Sequence, residues 1–414
     1  MKIAFVSQPS HSVLPPTGSL EIWTREVARR LAERHDVVLY ASATDETADG
    51  VRDGINYRFV DHGVDATLAY ARALWRLRPP DKAFFSSTLN PLTYWLKVAL
   101  DLRRRGVEAV HVYNYSQALP IIRRFNPQAR IAIHMQCEWL TQIDERIIDR
   151  RLRHADVIIG CSEHITRPIR RRFPAHAPRC RTIYNGVDVR EPAGRPDGNG
   201  TVTLLHVGRI APEKGHHLLV DALNELVHDH PELRMVFVGE ETLIPKEMAV
   251  AISTDPLVRA LGRFYDRSYL EQLRERMSPE LAERTLITNK RVDHERVVEY
   301  YEAADIFVFP SIFEAFPIPP IEAMAVGLPV VAARAGGAVE SVVDGETGLL
   351  VDRDDSRGLA EALAQLLADP QRRAELGAAG RERAARMFSW PSVTRELEQA
   401  LEARALPAGE PVPA

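Results

Sequence analysis

One stretch of the chain, residues 306–351, constrains the fold more than any other. It begins with Ile306–Phe309, a β-branched and aromatic run that predicts a strand buried on both faces. The Pro-Pro pair that opens at Pro319 fits a first helical turn, and Gly327 is typical of the residue just beyond a helix. Val330–Ala333 then predicts another buried strand, so this stretch reads as parallel α/β structure.

Two carboxylates flank the corner between that first strand and the helix. Glu314 lies in the loop, and we expect Glu322 in the first turn of the helix. A carboxylate is stabilised near a helix N-terminus, so a helix-capping acid and a solvated loop acid are one interpretation. The pair Gly336 and Gly337 after the next strand favours a ligand site. Loops at the carboxyl ends of parallel strands hold ligands in open sheets, and glycines let backbone amides approach an anion.

The sequence from residue 310 to residue 351 resembles the C-terminal signature of retaining GT-B glycosyltransferases, specifically glycosyltransferase family 4. The Glu-x7-Glu core is formed by Glu314 and Glu322, with Ala-Met-Ala-x-Gly-x-Pro-Val, Gly-Gly and Asp-Gly-x-x-Gly following it. The resemblance implies two Rossmann-like domains that face each other across a cleft, and a last helix that crosses back to the N-terminal domain. It further implies transfer of a hexose from a UDP- or GDP-sugar to an acceptor hydroxyl with retention of configuration. No cofactor and no metal are expected.

A change of composition predicts where the domains meet. Residues 190–200 are rich in Pro, Gly and Asp and poor in apolar side chains, which is typical of a linker. We expect a boundary near residue 195 and a disordered, Pro-rich tail. The predicted parts are an acceptor-binding domain (1–195, completed by a helix over 388–405), a nucleotide-sugar-binding domain (196–387) and the tail (406–414).

A strand-to-helix corner in the second predicted domain carries two cations, Arg209 and Lys214, in the sequence GRIAPEKG that begins at Gly208. Arginine offers a planar fork for a phosphate and lysine a mobile point charge. Two exposed loop cations would be the simpler interpretation, but the pattern GRxxxxKG matches the diphosphate-binding motif of the family. The resemblance therefore implies that Arg209 and Lys214 stabilise the diphosphate as it leaves the sugar.

The family pattern assigns further residues to the donor. It implies that Glu322 accepts hydrogen bonds from the ribose hydroxyls and that Glu314 contacts the transferred hexose. The remaining donor-binding predictions are Gly18, Ser19, Gly208, Arg291, Val292, Phe316 and Ile318. Ala315 and Pro317 occupy positions where the family usually has glycine, and proline has no N–H to offer a sugar hydroxyl.

His134 ends a predicted strand of the N-terminal domain. A lone histidine there is commonly a structural hydrogen-bonding group, whereas the resemblance implies that it lines the sugar site and stabilises the reaction without acting as a nucleophile. The acceptor-binding predictions are Tyr113, Asn114, Glu138 and Trp139. These four residues could equally pack at a domain interface.

Two segments depart from common patterns. The loop after the first strand lacks GxGxxG and retains only Gly18, which argues against a dinucleotide site. Residues 240–267 form an insertion longer than the family's usual short turn. Such elaborations often gate or select substrates, and the sequence leaves the role of this one open.

Bulk composition excludes several classes of protein. A net charge of −4 gives no argument for nucleic acid binding. The basic run Arg170–Arg172 fits either a solvated helix face or contact with an anionic membrane surface. Three widely spaced cysteines argue against a disulfide framework or a zinc knuckle, and with no signal peptide or membrane helix they favour the cytoplasm. Residues 352–355 resemble a metal-binding DxD, but we expect a helix cap.

Two alternatives share the predicted architecture. One is a sugar-nucleotide epimerase or hydrolase, and the other is a sugar-nucleotide-binding protein without catalysis. The GRxxxxKG motif together with the Glu-x7-Glu block favours the transferase.

Overall fold

The computed structural model describes residues 1–9, 13–14, 18–44, 47–63, 65, 87, 90–190, 200–246, 250 and 253–402 of the 414-residue chain. The chain divides into two compact units. The first unit comprises Met1–Tyr184 and Trp390–Ala414, and the second comprises Asn185–Ser389. Most of the predicted linker and the whole predicted tail lie outside the described residues.

The first unit is built on an eight-stranded sheet of order β3-β4-β2-β1-β5-β6-β7-β8. Its strands are β1 (Lys2–Val6), β2 (Asp36–Ser42), β3 (Gly50–Arg52), β4 (Ile55–Val60), β5 (Ala109–Tyr113), β6 (Arg130–Met135), β7 (Val157–Gly160) and β8 (Cys180–Thr182). All neighbours are parallel except β3 and β4. The chain moves outward in both directions from β1 and β5, so the switch point of this sheet lies between those two strands.

The antiparallel β3–β4 hairpin was not part of the sequence interpretation. Asp53 and Gly54 form its two-residue turn with φ of 51° and 75°. Asp-Gly between extended runs is the strongest short-range hairpin signal, because both turn residues need positive φ. The sequence therefore did contain the information for this edge of the sheet.

Helices cover the first sheet in the usual alternation. They are α1 (Ser19–Ala32), α2 (Leu92–Arg105), α3 (Ala118–Phe125), α4 (Trp139–Gln142), α5 (Glu145–Leu152) and α6 (Glu163–Arg172). Helix α2 ends at Gly106, whose φ of 63° is the left-handed conformation that glycine adopts freely. The Ser162 side chain accepts a hydrogen bond from the Ile165 N–H at 3.2 Å and so caps α6.

The second unit is built on a parallel six-stranded sheet of order β11-β10-β9-β12-β13-β14. Its strands are β9 (Val202–Val207), β10 (Leu233–Val238), β11 (Thr285–Ile287), β12 (Ile306–Phe309), β13 (Val330–Ala333) and β14 (Leu349–Val351). Its helices are α7 (His216–Leu226), α8 (Pro256–Ala260), α9 (Tyr269–Arg276), α10 (Pro279–Glu283), α11 (His294–Ala303), α12 (Ile318–Ala325), α13 (Ala338–Ser341), α14 (Ser356–Ala368) and α15 (Pro370–Arg383). Strand order reverses between β9 and β12, which makes their carboxyl ends the switch point of this sheet.

The last helix, α16 (Trp390–Glu402), belongs to the first unit, as the family resemblance implied. Its residues Trp390, Val393 and Leu397 are buried in the core that β1, β2 and α1 share. The Arg130 side chain on β6 also donates to the Ala400 carbonyl at 2.9 Å. The chain therefore completes its first unit with its final helix.

The second unit begins before the boundary predicted near residue 195. The Asn185 side chain donates to the Phe316 carbonyl at 3.1 Å, and the Val187 N–H donates to the Phe388 carbonyl at 2.8 Å. These bonds attach the Asn-Gly-Val-Asp segment to the second unit.

Other features bear on earlier expectations. Asp355 accepts from the Gly358 N–H at 2.8 Å and so caps α14, as expected for residues 352–355. None of the three cysteines, all within the described residues, forms a disulfide. Among the helices of the described ranges, none is long and apolar enough to cross a membrane.

Candidate functional site

The loop from Gly208 to Gly215 joins β9 to α7 at the second switch point. Gly215 has φ of +72°, and a Cβ on it would lie 2.0 Å from the Pro310 carbonyl oxygen at the end of β12. Only glycine permits this crossing, since both the conformation and the space exclude a side chain. The Ile312 N–H donates to the Glu213 carbonyl at 2.8 Å, so the loops after β9 and β12 are joined by their backbones.

Lys214 and Glu314 meet at this crossing although 100 residues separate them. The Lys214 Nζ lies 2.5 Å from the Glu314 Oε1, and the two side chains are only 18% and 10% exposed. Lys214 Nζ also sits 5.7 Å from the ring centre of Phe309. The structure thus brings together one cation of GRxxxxKG and the first acid of Glu-x7-Glu.

Arg209, the other predicted diphosphate cation, is held from two sides. One guanidinium nitrogen donates to the Glu213 Oε1 at 2.6 Å, and the other terminal nitrogen donates to the Thr242 carbonyl at 2.8 Å. Glu213 and Thr242 were both missed by sequence reasoning. Thr242 lies near the start of the insertion over 240–267, so this segment contacts the predicted diphosphate arginine.

Glu322 has a different environment from the one predicted. Helix α12 starts at Ile318, because the two prolines after it need no N–H partner in a first turn. Glu322 is therefore the fifth helical residue and does not cap the helix. It accepts from the Tyr301 hydroxyl at 2.8 Å, and the His294 Nδ1 lies 3.6 Å from its other oxygen. Burial and the Glu322 charge raise the pKa of Tyr301 well above its ordinary value.

The Gly336-Gly337 loop is tied to the loop after β12. The Gly337 N–H donates to the Glu314 carbonyl at 3.2 Å, and a Cβ on Gly337 would lie 2.3 Å from the Ala315 carbonyl oxygen. The Ala338 N–H donates to the Ala335 carbonyl at 2.9 Å. The Gly337 and Ala338 amides, expected to face an anion, therefore already donate to backbone carbonyls. Gly337 instead allows two backbone segments to pack closely.

The other donor-binding predictions on the second unit fall into two groups. Phe316 and Ile318 are buried, and Phe316 packs on Phe388 with ring centres 5.5 Å apart. Arg291 is exposed, and Val292 beside it is half-buried. Loop position alone links Arg291 and Val292 to the site.

In the first unit, His134 is fully buried at the carboxyl end of β6. Its Nδ1 lies 3.1 Å from the His111 Nε2, and its Nε2 lies 3.2 Å from the Gln136 side-chain amide. Trp23 packs edge-on against the His134 ring, with centres 4.8 Å apart. Burial lowers the pKa of His134 to about 3, so the imidazole is neutral at physiological pH.

The predicted acceptor residues lie at the carboxyl ends of β5 and β6. Tyr113 is fully buried, and burial raises the pKa of its hydroxyl well above the ordinary value. Asn114 has φ of +52°, and its side-chain oxygen accepts from the Gln136 N–H at 2.7 Å. Glu138 lies 3.1 Å from the His164 Nε2, while Trp139 packs on a neighbouring tyrosine. The structure gives each of them a local structural contact.

Gly18 and Ser19 stand at the start of α1, on the β1 side of the first switch point. The Gly18 carbonyl accepts from the Ile22 N–H at 3.0 Å, and a Cβ on Gly18 would lie 2.6 Å from the Glu21 Oε2. Glu21 is 2% exposed, and its Oε1 has no hydrogen-bond partner among the described residues. The Ser7 hydroxyl at the end of β1 is also buried without a described partner.

Glu21 is the main residue that sequence reasoning missed. A buried carboxylate oxygen without a hydrogen-bond donor among the described residues is costly, so Glu21 is a candidate for contact with a polar ligand. The available signal was an acid three residues after Gly18, in the first turn of a helix that follows β1.

One group of possible metal ligands occurs within the described ranges. His35, Glu398 and Glu402 bring ligand atoms within 4.8 Å of one another. Arg34 already binds Glu398 at 2.8 Å, and the cluster joins the residue range just after α1 to α16. The expectation that no metal is needed stays a prediction.

Comparison with known proteins identifies two matching families. The Glycosyltransferase Family 4 model matches residues 20–191, and the Glycosyl transferases group 1 model matches residues 192–383. Spore coat protein SA of Bacillus subtilis is 24% identical over 96% of this chain and 98% of its own. D-inositol 3-phosphate glycosyltransferase 2 of Catenulispora acidiphila is 33% identical over 64% of this chain and 62% of its own.

Solved structures share the fold. Sucrose-phosphate synthase from Thermosynechococcus elongatus aligns with a TM-score of 0.73 and 23% identity over 96% of this chain and 97% of its own. Anabaena Alr3699/HepE in complex with UDP-glucose aligns with a TM-score of 0.68 and 21% identity over 97% and 99%. The chain therefore belongs to the group 1 and family 4 glycosyltransferases and has their GT-B fold.

Proposed function

We propose that this protein transfers a hexose from a nucleoside-diphosphate sugar to an acceptor hydroxyl with retention of anomeric configuration. The single observation that carries the proposal is the meeting of Lys214 and Glu314 at the second switch point, on the loop that also carries Arg209. Lys214 and Glu314 come from separate motifs. The fold brings the two residues together at the carboxyl ends of the strands, where open parallel sheets bind ligands.

The diphosphate is the leaving group, and its negative charge grows as the sugar–oxygen bond breaks. Arg209 and Lys214 stabilise that charge. In the free protein both cations are engaged by carboxylates, at 2.6 Å and 2.5 Å. A diphosphate competes for them, so donor binding moves Lys214 at least partly away from Glu314.

The two acids of Glu-x7-Glu serve different parts of the donor. Glu314, released from Lys214, contacts the hexose near its anomeric carbon. Glu322, oriented by Tyr301, accepts from the ribose hydroxyls. Retention follows when the departing phosphate deprotonates the acceptor on the face that it leaves.

The first unit holds the acceptor. Glu21 offers a buried oxygen without a described partner to an acceptor hydroxyl, and Tyr113, Asn114, Glu138 and Trp139 remain proposed acceptor residues. His134 is a positioning residue in this proposal. Its neutral ring is fixed by His111 and Gln136 and braces Trp23, which follows Glu21 by two residues.

The nucleotide of the donor is UDP or GDP, and UDP is favoured because the similar Anabaena protein was solved with UDP-glucose. We place the reaction in the cytoplasm. Contact with an anionic membrane face stays part of the proposal, but fewer arginines are available for it. Of the predicted basic run, Arg170 binds Glu163, and Arg172 binds the carbonyls of Thr141 and Ile143.

The test is turnover of UDP-, GDP- and ADP-hexoses with an acceptor panel that includes D-inositol 3-phosphate, the compound in the names of several relatives. We expect an acceptor-dependent product whose anomeric proton coupling in NMR matches that of the donor. Glu314→Gln should lose transfer yet bind UDP more tightly, because Lys214 is then free for phosphate.

Other outcomes decide between the alternatives. Donor cleavage that no acceptor accelerates indicates a hydrolase, and conversion of one sugar nucleotide to another indicates an epimerase. Tight donor binding without any turnover indicates a binding protein.

A further inference from the structure

A surface cavity of the first unit is lined mainly by arginine. Its volume is about 440 Å³, and its wall consists of Thr141, Arg167, Pro168, Arg171 and Arg172. Three of these residues carry a guanidinium, and no acid is among the five. We call this cavity the arginine pocket.

The cations of helix α6 divide into engaged and free ones. Arg170 binds Glu163 at 2.9 Å, and Arg172 donates to the Thr141 and Ile143 carbonyls while its Nε lies 3.5 Å from Glu145. Arg167 and Arg171 are exposed, and neither has an ion pair or hydrogen bond within the described part of the chain. Arg172 thus forms part of the cavity wall. The guanidinium N–H groups of Arg167 and Arg171 have no partner among the described residues.

The free pair is electrostatically unfavourable as it stands. Arg167 and Arg171 are separated by one helical turn, so their like charges repel across neighbouring positions. The negative end of the helix dipole accounts for cations in the last turn, which includes Arg171. It does not account for Arg167, the fifth residue of the ten-residue helix. An anion between the two side chains would turn the repulsion into attraction.

We propose that the arginine pocket binds a phosphate group, at a site on the first unit that is independent of the donor residues of the second unit. Two guanidinium forks on one concave surface match the tetrahedral oxygens of a phosphate better than single charges do. The Thr141 hydroxyl bonds the Glu138 carbonyl at 2.9 Å, so recognition falls to Arg167 and Arg171. The phosphate belongs either to a lipid headgroup or to a soluble compound.

The first experiment titrates the full-length protein with inorganic phosphate by calorimetry at low ionic strength, in the presence of saturating UDP. The pocket variant is Arg167→Gln/Arg171→Gln. The control is Arg357→Gln/Arg386→Gln, which removes the same charge from two exposed arginines of the second unit. We expect about tenfold weaker phosphate binding in the pocket variant only, because charge-assisted bonds are lost there. Equal affinity in both variants overturns the proposal.

The second experiment identifies the source of the phosphate. Sedimentation is compared between vesicles of phosphatidylcholine alone and vesicles that also contain phosphatidylglycerol. Binding only to the anionic vesicles, lost in the pocket variant and kept in the control, assigns a lipid headgroup. Phosphate binding without vesicle binding assigns a soluble phosphate compound. Vesicle binding that both variants lose equally reflects net charge and counts against the pocket.

Discussion

The two switch points of this protein are built from different chemistry. In the second unit the polar groups are ion pairs, Lys214–Glu314 and Arg209–Glu213, each at 2.6 Å or less. In the first unit the groups are neutral rings around His134 and a buried acid, Glu21, with one oxygen free of described partners. An anionic ligand can replace the carboxylate partner of a cation in an ion pair. Ligand hydroxyl groups instead form hydrogen bonds with neutral groups or with a carboxylate oxygen that has no described partner.

Under the proposed function, the contrast gives the two sheets different tasks. The ion pairs of the second unit keep the proposed phosphate site ordered before a donor binds, because each cation is compensated by a carboxylate. The proposed acceptor site depends on shape and hydrogen bonding, where an unmatched buried polar group penalises a wrong ligand.

The strongest test removes the cation of the second unit. Lys214→Ala should lower kcat/KM for the donor by about 100- to 1,000-fold, the usual effect of losing one donor to a developing negative charge, about 2.7–4 kcal/mol. Steady-state kinetics and UDP calorimetry check this, with Lys97→Ala, an exposed lysine of the first unit, as the control. Unchanged UDP affinity and rate in Lys214→Ala would contradict the assignment of the charged switch point to phosphate binding.

The matching test in the first unit is Glu21→Gln. We expect kcat/KM for the acceptor to fall by about 10- to 100-fold, because a hydrogen bond to a charged group is worth about 1.5–3 kcal/mol. Donor affinity should be unchanged and stability equal or higher, since a buried charge is removed. Acceptor kinetics and urea unfolding measure both effects, with Glu33→Gln, at the exposed residue just after the same helix, as control. Lost stability with normal kinetics would make Glu21 purely structural.

The neutral rings predict a pH dependence of stability. An unfolded histidine takes up a proton below a pH of about 6.5, whereas folded His134 does so only near pH 3. The unfolded chain therefore binds more protons in this window, and the free energy of unfolding falls as pH drops. One such group loses about 2 kcal/mol between pH 8 and pH 5.

Urea unfolding of His134→Asn should show a shallower pH slope than the wild type, while His228→Asn, an exposed ring, should keep it. In the wild-type protein, NMR should show no titration of the His134 ring above about pH 4. A midpoint near 6 would refute the neutral character of the first switch point.

The smallest expected effect concerns the support of Glu322. Tyr301→Phe removes its 2.8 Å hydrogen bond and should raise the donor KM about fivefold, an effect of about 1 kcal/mol. Tyr300→Phe, the half-buried neighbour, is the control. Equal KM values for both variants would show that Glu322 needs no orientation by Tyr301.

Much of the second unit could be predicted from sequence. Short apolar runs gave β12 and β13, and parallel topology brings the loops after β9 and β12 together, so Lys214 and Glu314 were expected in one site. Residue patterns cannot show which backbone amides are already used. For that reason Gly337 was assigned to an anion, although its amide binds the Glu314 carbonyl.

The first unit was harder to predict because burial depends on distant partners. His134 was correctly placed at the end of a strand, but its neutral state results from complete burial, which also depends on packing by residues distant in sequence such as Trp23. Glu21 carried no interpretation from sequence, because an acid in a first helical turn is ordinary. Its burial, with one oxygen unpartnered among the described residues, depends on the tertiary packing around α1.

Helix α16 has a consequence for how the chain is made. It contributes Trp390, Leu397 and Leu401 to the core of the first unit, so that core stays incomplete until residues beyond Leu401 have left the ribosome. The second unit is complete at Ser389 and can fold earlier. Synthesis thus finishes the middle of this protein before its beginning, and a stop codon shortly before Trp390 would leave the amino-terminal sheet without its last layer.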